Sequence, residues 1–285
     1  MIFDHDGNLW VGTAGKGIFR IHGNVVDHYR GTDGLSSDTV LPLFQDRGGI
    51  VWSVTTNGID SFRDSSVSTF SAREGLGTDA ATGVLASRDG TIWVANAGSL
   101  DQIKNGEVTS IRTGSGLPGH QVTAMLEDRA GNLWVEVDDG LFLFKSGRFR
   151  RLPEPSHQPL GMVVGVTEDN DGNVWAECLG NPRKLVRIRD FQVREEFPPS
   201  QVPPGHSLAS DPHGGIWIAT KKGDIGLFRN GVFETKFPLN PGGNPSNRQI
   251  MSMADGSVIA GSENGLVAWR QGQVHRMTRM SWMPF

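Results

Sequence analysis

Two carboxylates occupy a position that the rest of the chain gives to small or apolar residues. Two places after a recurring tryptophan, or its equivalent, stand Gly12, Val54, Ala95, Glu136, Glu177, Ala219 and Gly261. A glutamate at a strand end built for a methyl group is costly to bury unless something compensates its charge. Two chemistries meet that need. In one, a basic side chain, Arg183, Lys184 or Arg248, completes a structural ion pair. In the other, the acids form a ligand-binding or proton-transfer pair at a channel mouth. Histidines extend the second reading, because His120, His157 and His206 are expected on the same side as the two glutamates. Such a His/carboxylate cluster is what a metal site or general acid–base chemistry requires, although each histidine by itself reads as an ordinary loop residue. Trp282, close to Phe285, is either an indole for stacking on a sugar face or a plug over apolar surface. The expected ligand-binding set is Glu136, Glu177, His120, His206, Arg183, Lys184, Arg248 and Trp282, with no catalytic residue and no metal assigned.

Other chemistries lack their signatures. The chain has no Gly-x-Ser-x-Gly elbow, P-loop, His-Glu-x-x-His or dinucleotide fingerprint, and no cofactor is expected. A single cysteine, Cys178, excludes internal disulfides and cysteine-cluster metal sites and fits either redox compartment. Twenty-seven basic against 31 acidic residues give a formal charge of −4 without a basic arm, so nucleic acid is not an expected partner. The longest stretch of apolar residues and glycine, Leu160 to Val166, is far short of the ~20 residues that cross a bilayer. The first residues, Met1-Ile2-Phe3-Asp4-His5-Asp6, show no secretory signal pattern.

The elements that position these residues come from a repeat. Asp4-His5-Asp6-Gly7-Asn8-Leu9-Trp10 recurs with its last residue at Trp52, Trp93, Trp134, Trp175 and Trp217, and a degenerate seventh copy ends at Ile259. The spacing is 41 or 42 residues throughout. Within the fourth copy, Val122–Leu126, Leu133–Val135, Leu141–Phe144 and Phe149–Leu152 are short apolar runs separated by Gly, Asp and Asn turns. They predict a four-stranded antiparallel meander. Four strands in about 40 residues make one propeller blade. The chain is therefore expected to be all-β, a single seven-bladed β-propeller domain over residues 1–285. Glycine at 38 of 285 residues and 15 prolines argue against a mostly helical fold.

The tryptophans are expected to wedge between twisted blades. The Asp of each turn is expected to cap backbone N–H groups, and the Asp/Gly pattern lacks the ligand spacing of an EF-hand. Only Met1-Ile2-Phe3 precede Asp4, so the first blade is expected to miss part of its inner strand, with imperfect ring closure or a natural chain that continues upstream.

Gly116–Val135, with Trp10-Val11-Gly12-Thr13 and Gly34–Val40, resembles the two-component regulator propeller repeat. The resemblance spans essentially the whole chain. It implies an extracytoplasmic, periplasmic sensor, tethered in the natural protein to a histidine kinase or another regulator, that binds a small molecule or oligosaccharide. Streptogramin-inactivating lyases are similar in architecture, with an Asp-Gly-x-x-Trp repeat and chemistry that uses a metal ion and a histidine. Trp-Val-Gly-Thr stands here where they carry Trp-Phe-Thr-Glu. A protein-interaction platform is the third expectation.

Overall fold

The computed structural model describes residues 1–23, 25–63, 66–154, 159–238, 249–262 and 265–277. Every copy of the repeat folds into an antiparallel meander, giving the seven blades of a β-propeller. Blade 4 shows the pattern with strands Val122–Glu127, Leu133–Val137, Gly140–Lys145 and Arg148–Arg151. Two single-turn 3-10 segments, Gly31–Asp33 and Ala72–Glu74, sit in blade-to-blade connections. Blade 3 gains a short fifth strand, Gly116–Leu117, parallel to its outer strand Glu107–Thr113. The inner strand of blade 1 is only Ile2–Phe3, paired with Trp10 and Leu9.

Second strands read as unbroken apolar runs because both of their faces are covered. Val51–Thr55, Ile92–Asn96, Leu133–Val137, Val174–Cys178 and Ile216–Thr220 are buried along their whole length. The turn that leads into each of them explains the recurrent Asp. Its carboxylate accepts backbone N–H groups two and four residues on, as in Asp169 with Asp171 and Asn173, at 3.0 and 2.9 Å. It also accepts the indole N–H of the blade's own tryptophan, from Trp10, Trp52, Trp134 and Trp175 to Asp4, Asp46, Asp128 and Asp169, at 2.7 to 2.9 Å. Blade 3 substitutes the Ser87 hydroxyl at 3.1 Å. In blade 7 acceptor and donor are lost together, to Met253 and Ile259. Blade 6 departs from the pattern, since Asp211 accepts from Arg229 and the buried Trp217 indole N–H has no acceptor among the described residues; in blade 7 an isoleucine needs none.

Contacts group the chain into two compact units, residues 1–138 with 142–150, and residues 139–141 with 151–285. Inside each, the core lies between successive blades. In the first, Trp10 and Ile18 pack with Val40, Val51 and Phe62 of blade 2, and Trp52 with Ile92, Val94 and Ile103 of blade 3. In the second, Trp175 packs with Ile216, Ile218 and Phe228, and Trp217 with Val258, Ala260 and Val267. The expected wedging of tryptophans thus holds in both. No helix among the described residues is long and apolar enough to cross a membrane.

Candidate functional site

Connections between second and third strands meet the blade-to-blade connections. Gly15 and Gly17 donate N–H bonds to Asp38 O at 3.0 and 2.8 Å, Leu179 donates to Met162 O at 2.8 Å, and Lys221 to Pro204 O at 2.9 Å. The position held by Glu136 and Glu177 lies at this end. It faces a β-bulge that repeats in blades 2 to 6, where the inner strand carries one residue more than its partner. In blade 4 the bulge turns a backbone N–H, that of Thr123, towards the side chain at this position.

Glu136 accepts that N–H within its own blade. It is fully buried, and its carboxylate accepts the Thr123 N–H at 3.2 Å and the Thr123 hydroxyl in a short hydrogen bond. His120 is exposed in the neighbouring connection, its backbone N–H bonded to the Asp138 carboxylate at 3.1 Å. Its carbonyl accepts Gly98 N–H.

Glu177 instead reaches the next blade. Only 2% exposed, it accepts the Gly205 N–H at 3.2 Å and lies 3.5 Å from Arg183 Nη2, which donates to Gly205 O at 3.2 Å. One guanidinium and one carboxylate therefore hold both main-chain polar groups of Gly205. Glycine is required there, since a Cβ would stand 2.6 Å from Ile218 Cγ2. Burial raises the Glu177 carboxyl to a pKa of about 7, against the opposing pull of the Gly205 N–H, Arg183 and Lys221. Arg183 Nε is shut off from solvent and has no acceptor among the described residues. The group can hold or release a proton near neutrality beside a partly exposed cation.

The structure thus gives Glu177 and Arg183 to each other. Lys184 does not join them, because its ammonium pairs with Glu196 on the adjacent outer strand at 3.0 Å. His206 is the extra residue of the blade 6 bulge. Arg248, Trp282 and His157 lie outside the described residues. Among the described residues, no three His, Cys, Asp or Glu side chains gather as a metal would need. Sequence reading missed two features. The bulge leaves no residue-type signature. The indole–aspartate bond was visible only in the joint loss of both partners from the seventh copy.

The two component regulator propeller model matches residues 116–135. Among curated proteins, no sequence matches this chain. Solved structures do. A catalytically inactive virginiamycin B lyase from Staphylococcus aureus, with quinupristin, is 18% identical with a TM-score of 0.75, covering 94% of this chain and 92% of its own. The extracellular domain of a putative hybrid two component system from B. thetaiotaomicron is 16% identical with a TM-score of 0.62, covering 99% of this chain and 43% of its own. A second such domain from the same organism is 14% identical with a TM-score of 0.51, at 95% and 44% coverage. The chain therefore spans less than half the length of these extracellular domains. At such identities the likeness shows the fold alone. The chain is a seven-bladed propeller in which residues 116–135 match the two component regulator propeller repeat.

Proposed function

We propose that this chain is the sensory propeller of a bacterial two-component-type regulator, working outside the cytoplasm and binding a small molecule or oligosaccharide on the face where the connections gather. The observation that supports it best is the Glu177–Arg183–Gly205 arrangement at the loop end of blades 5 and 6. It puts a guanidinium with an unmet N–H beside a buried carboxyl of pKa about 7. A ligand that engages Arg183 changes the environment of a group that ties one blade to the next, which is a means of coupling occupancy to structure. Glu136, which accepts the Thr123 N–H and hydroxyl, occupies the equivalent position of blade 4.

The test is a thermal-shift and calorimetric screen of the whole chain with neutral and acidic mono- and oligosaccharides. At least one is expected to stabilise saturably, by ~2.7 kcal/mol at ~100 times its dissociation constant, and Arg183→Ala should remove that gain while leaving the free protein folded. A panel in which nothing stabilises the wild type would sink the reading. Loss of quinupristin on incubation with a divalent metal would point instead to the lyase chemistry of the architectural relatives.

A further inference from the structure

The chain builds one inter-blade pocket twice. Between blades 5 and 6, a cavity of ≈ 450 Å³ is lined by Asp169, Trp175, Arg187, Glu195, Phe197 and Phe228. Between blades 1 and 2, a cavity of ≈ 330 Å³ is lined by Asp4, Asp6, Trp10, Arg20, Tyr29 and Phe62. The correspondence is residue by residue. Trp175 pairs across strands with Arg187, and Trp10 with Arg20. Phe197 stacks on Trp175 at 22° and meets Phe228 edge-on, while Tyr29 stacks on Trp10 at 13° and meets Phe62 edge-on. Among the copies, the place opposite the tryptophan holds arginine only in these two blades, with Ser61, Gln102, Leu143, Leu227 and Ala268 elsewhere.

Each guanidinium lies over its indole, 5.3 Å from the ring centroid for Arg20 and 6.0 Å for Arg187. In both arginines Nε is buried without an acceptor among the described residues. The two differ at the terminal nitrogens. Arg187 Nη2 donates to its cross-strand neighbour Glu195 at 2.7 Å. The neighbour of Arg20 is Asp27, one methylene shorter and bonded to His22 at 2.9 Å. Arg20 has no ion-pair partner among the described residues. Asp4 does not compete for it, because that carboxylate is committed to Trp10 and Asn8.

We propose that the pocket between blades 1 and 2 binds a small organic monocarboxylate, seated on Arg20 as Glu195 is seated on Arg187. The stacked guanidinium is held in place, so little conformational freedom is lost when it forms charge-assisted hydrogen bonds. The exposed Asp6 at the rim disfavours polyanions and favours hydroxyl or ammonium donors next to the carboxylate. A hydroxycarboxylate of monosaccharide size fits a cavity of this volume. This site uses none of the residues of the loop-face reading, and either can fail without the other.

D-gluconate is the probe, D-glucitol its neutral counterpart and inorganic phosphate the competing anion. Titration of the full chain, followed by calorimetry and by the arginine side-chain NMR signals, is expected to show one saturable gluconate site that shifts Arg20 and leaves Arg187 still. Arg20→Gln should weaken binding by at least about tenfold, Arg187→Gln should not, and glucitol should not bind. The wild-type NMR signals decide the matter even where Arg20→Gln fails to fold. Absence of binding at about 10 mM gluconate, an unmoved Arg20 signal, equal affinity in Arg20→Gln, or phosphate binding as tight as gluconate at Arg20 would each overturn the proposal.

Discussion

Glu177 titrates where a carboxylate in water does not. Its ordinary value of 4.5 is raised to about 7 because burial penalises the charge more than Gly205, Arg183 and Lys221 stabilise it. The folded chain therefore holds this proton more tightly than the unfolded chain. The stabilisation is complete below about pH 4.5 and is lost as pH rises through about 7, a change of about 3 kcal/mol from this group. Glu177→Gln, which cannot titrate, is expected to flatten stability across that window and to raise the melting temperature at pH 8. Denaturation midpoints of both proteins at pH 5 and pH 8 check this. Equal pH profiles would show that Glu177 ionises normally. The indole acceptor is a second single-residue matter. Ser87 is the weaker substitute for aspartate in blade 3, so Ser87→Asp should add about 0.5–1 kcal/mol through a charge-assisted bond to Trp93. Urea unfolding would reveal a loss instead if the new carboxylate were poorly placed.

Between blades, the connections are fastened by a buried aspartate on the third strand. In blade 2, Asp60 accepts the Ser36 N–H at 3.1 Å and its hydroxyl at 3.0 Å. In blade 3, Asp101 accepts the Gly77 N–H at 2.7 Å and the Asn96 amide at 2.6 Å. Ser36 corresponds to Gly77, and Gly58 to Ser99, so serine and glycine have exchanged places between the loop and the strand. The exchange is steric, because a Cβ on Gly77 would collide with Ser99 Oγ. Gly77→Ser alone is expected to cost about 1–3 kcal/mol by overpacking. Adding Ser99→Gly should recover most of it, a favourable coupling that a double-mutant cycle measures directly. Strict additivity of the two changes would mean that the side chains do not share this space. The repeat made the fastening partly legible, since Gly-Leu-x-x-Asp recurs before blades 2 and 3. The partner aspartates were not legible, because an Asp in the middle of a strand reads as an exposed residue until the loop that covers it is seen.

At the scale of the whole molecule, charge speaks against a polyanionic partner. With 27 basic and 31 acidic residues, the chain offers no excess of cations for counterion release. A labelled DNA duplex is expected to show no saturable binding at about 0.15 M salt, as followed by fluorescence anisotropy. Micromolar binding that weakens steeply with salt would contradict the prediction.

What the sequence determined by itself was everything that repeats. A tryptophan every 41 or 42 residues, flanked by alternating apolar runs and turn residues, encodes seven meanders, since each copy restates the same local rules of strand, turn and burial. It also marked Glu136 and Glu177, because a repeat exposes its exceptions. Tertiary structure alone decided what those exceptions touch. Glu177 and Arg183 are close in sequence, yet the peptide they hold belongs to Gly205 in the next blade. Lys184, one residue from Arg183, pairs with Glu196 instead. Arg20 and Arg187 acquire opposite circumstances from a single methylene on the adjacent strand. Such choices depend on distances of a few ångströms between strands and blades, and a one-dimensional pattern does not carry them.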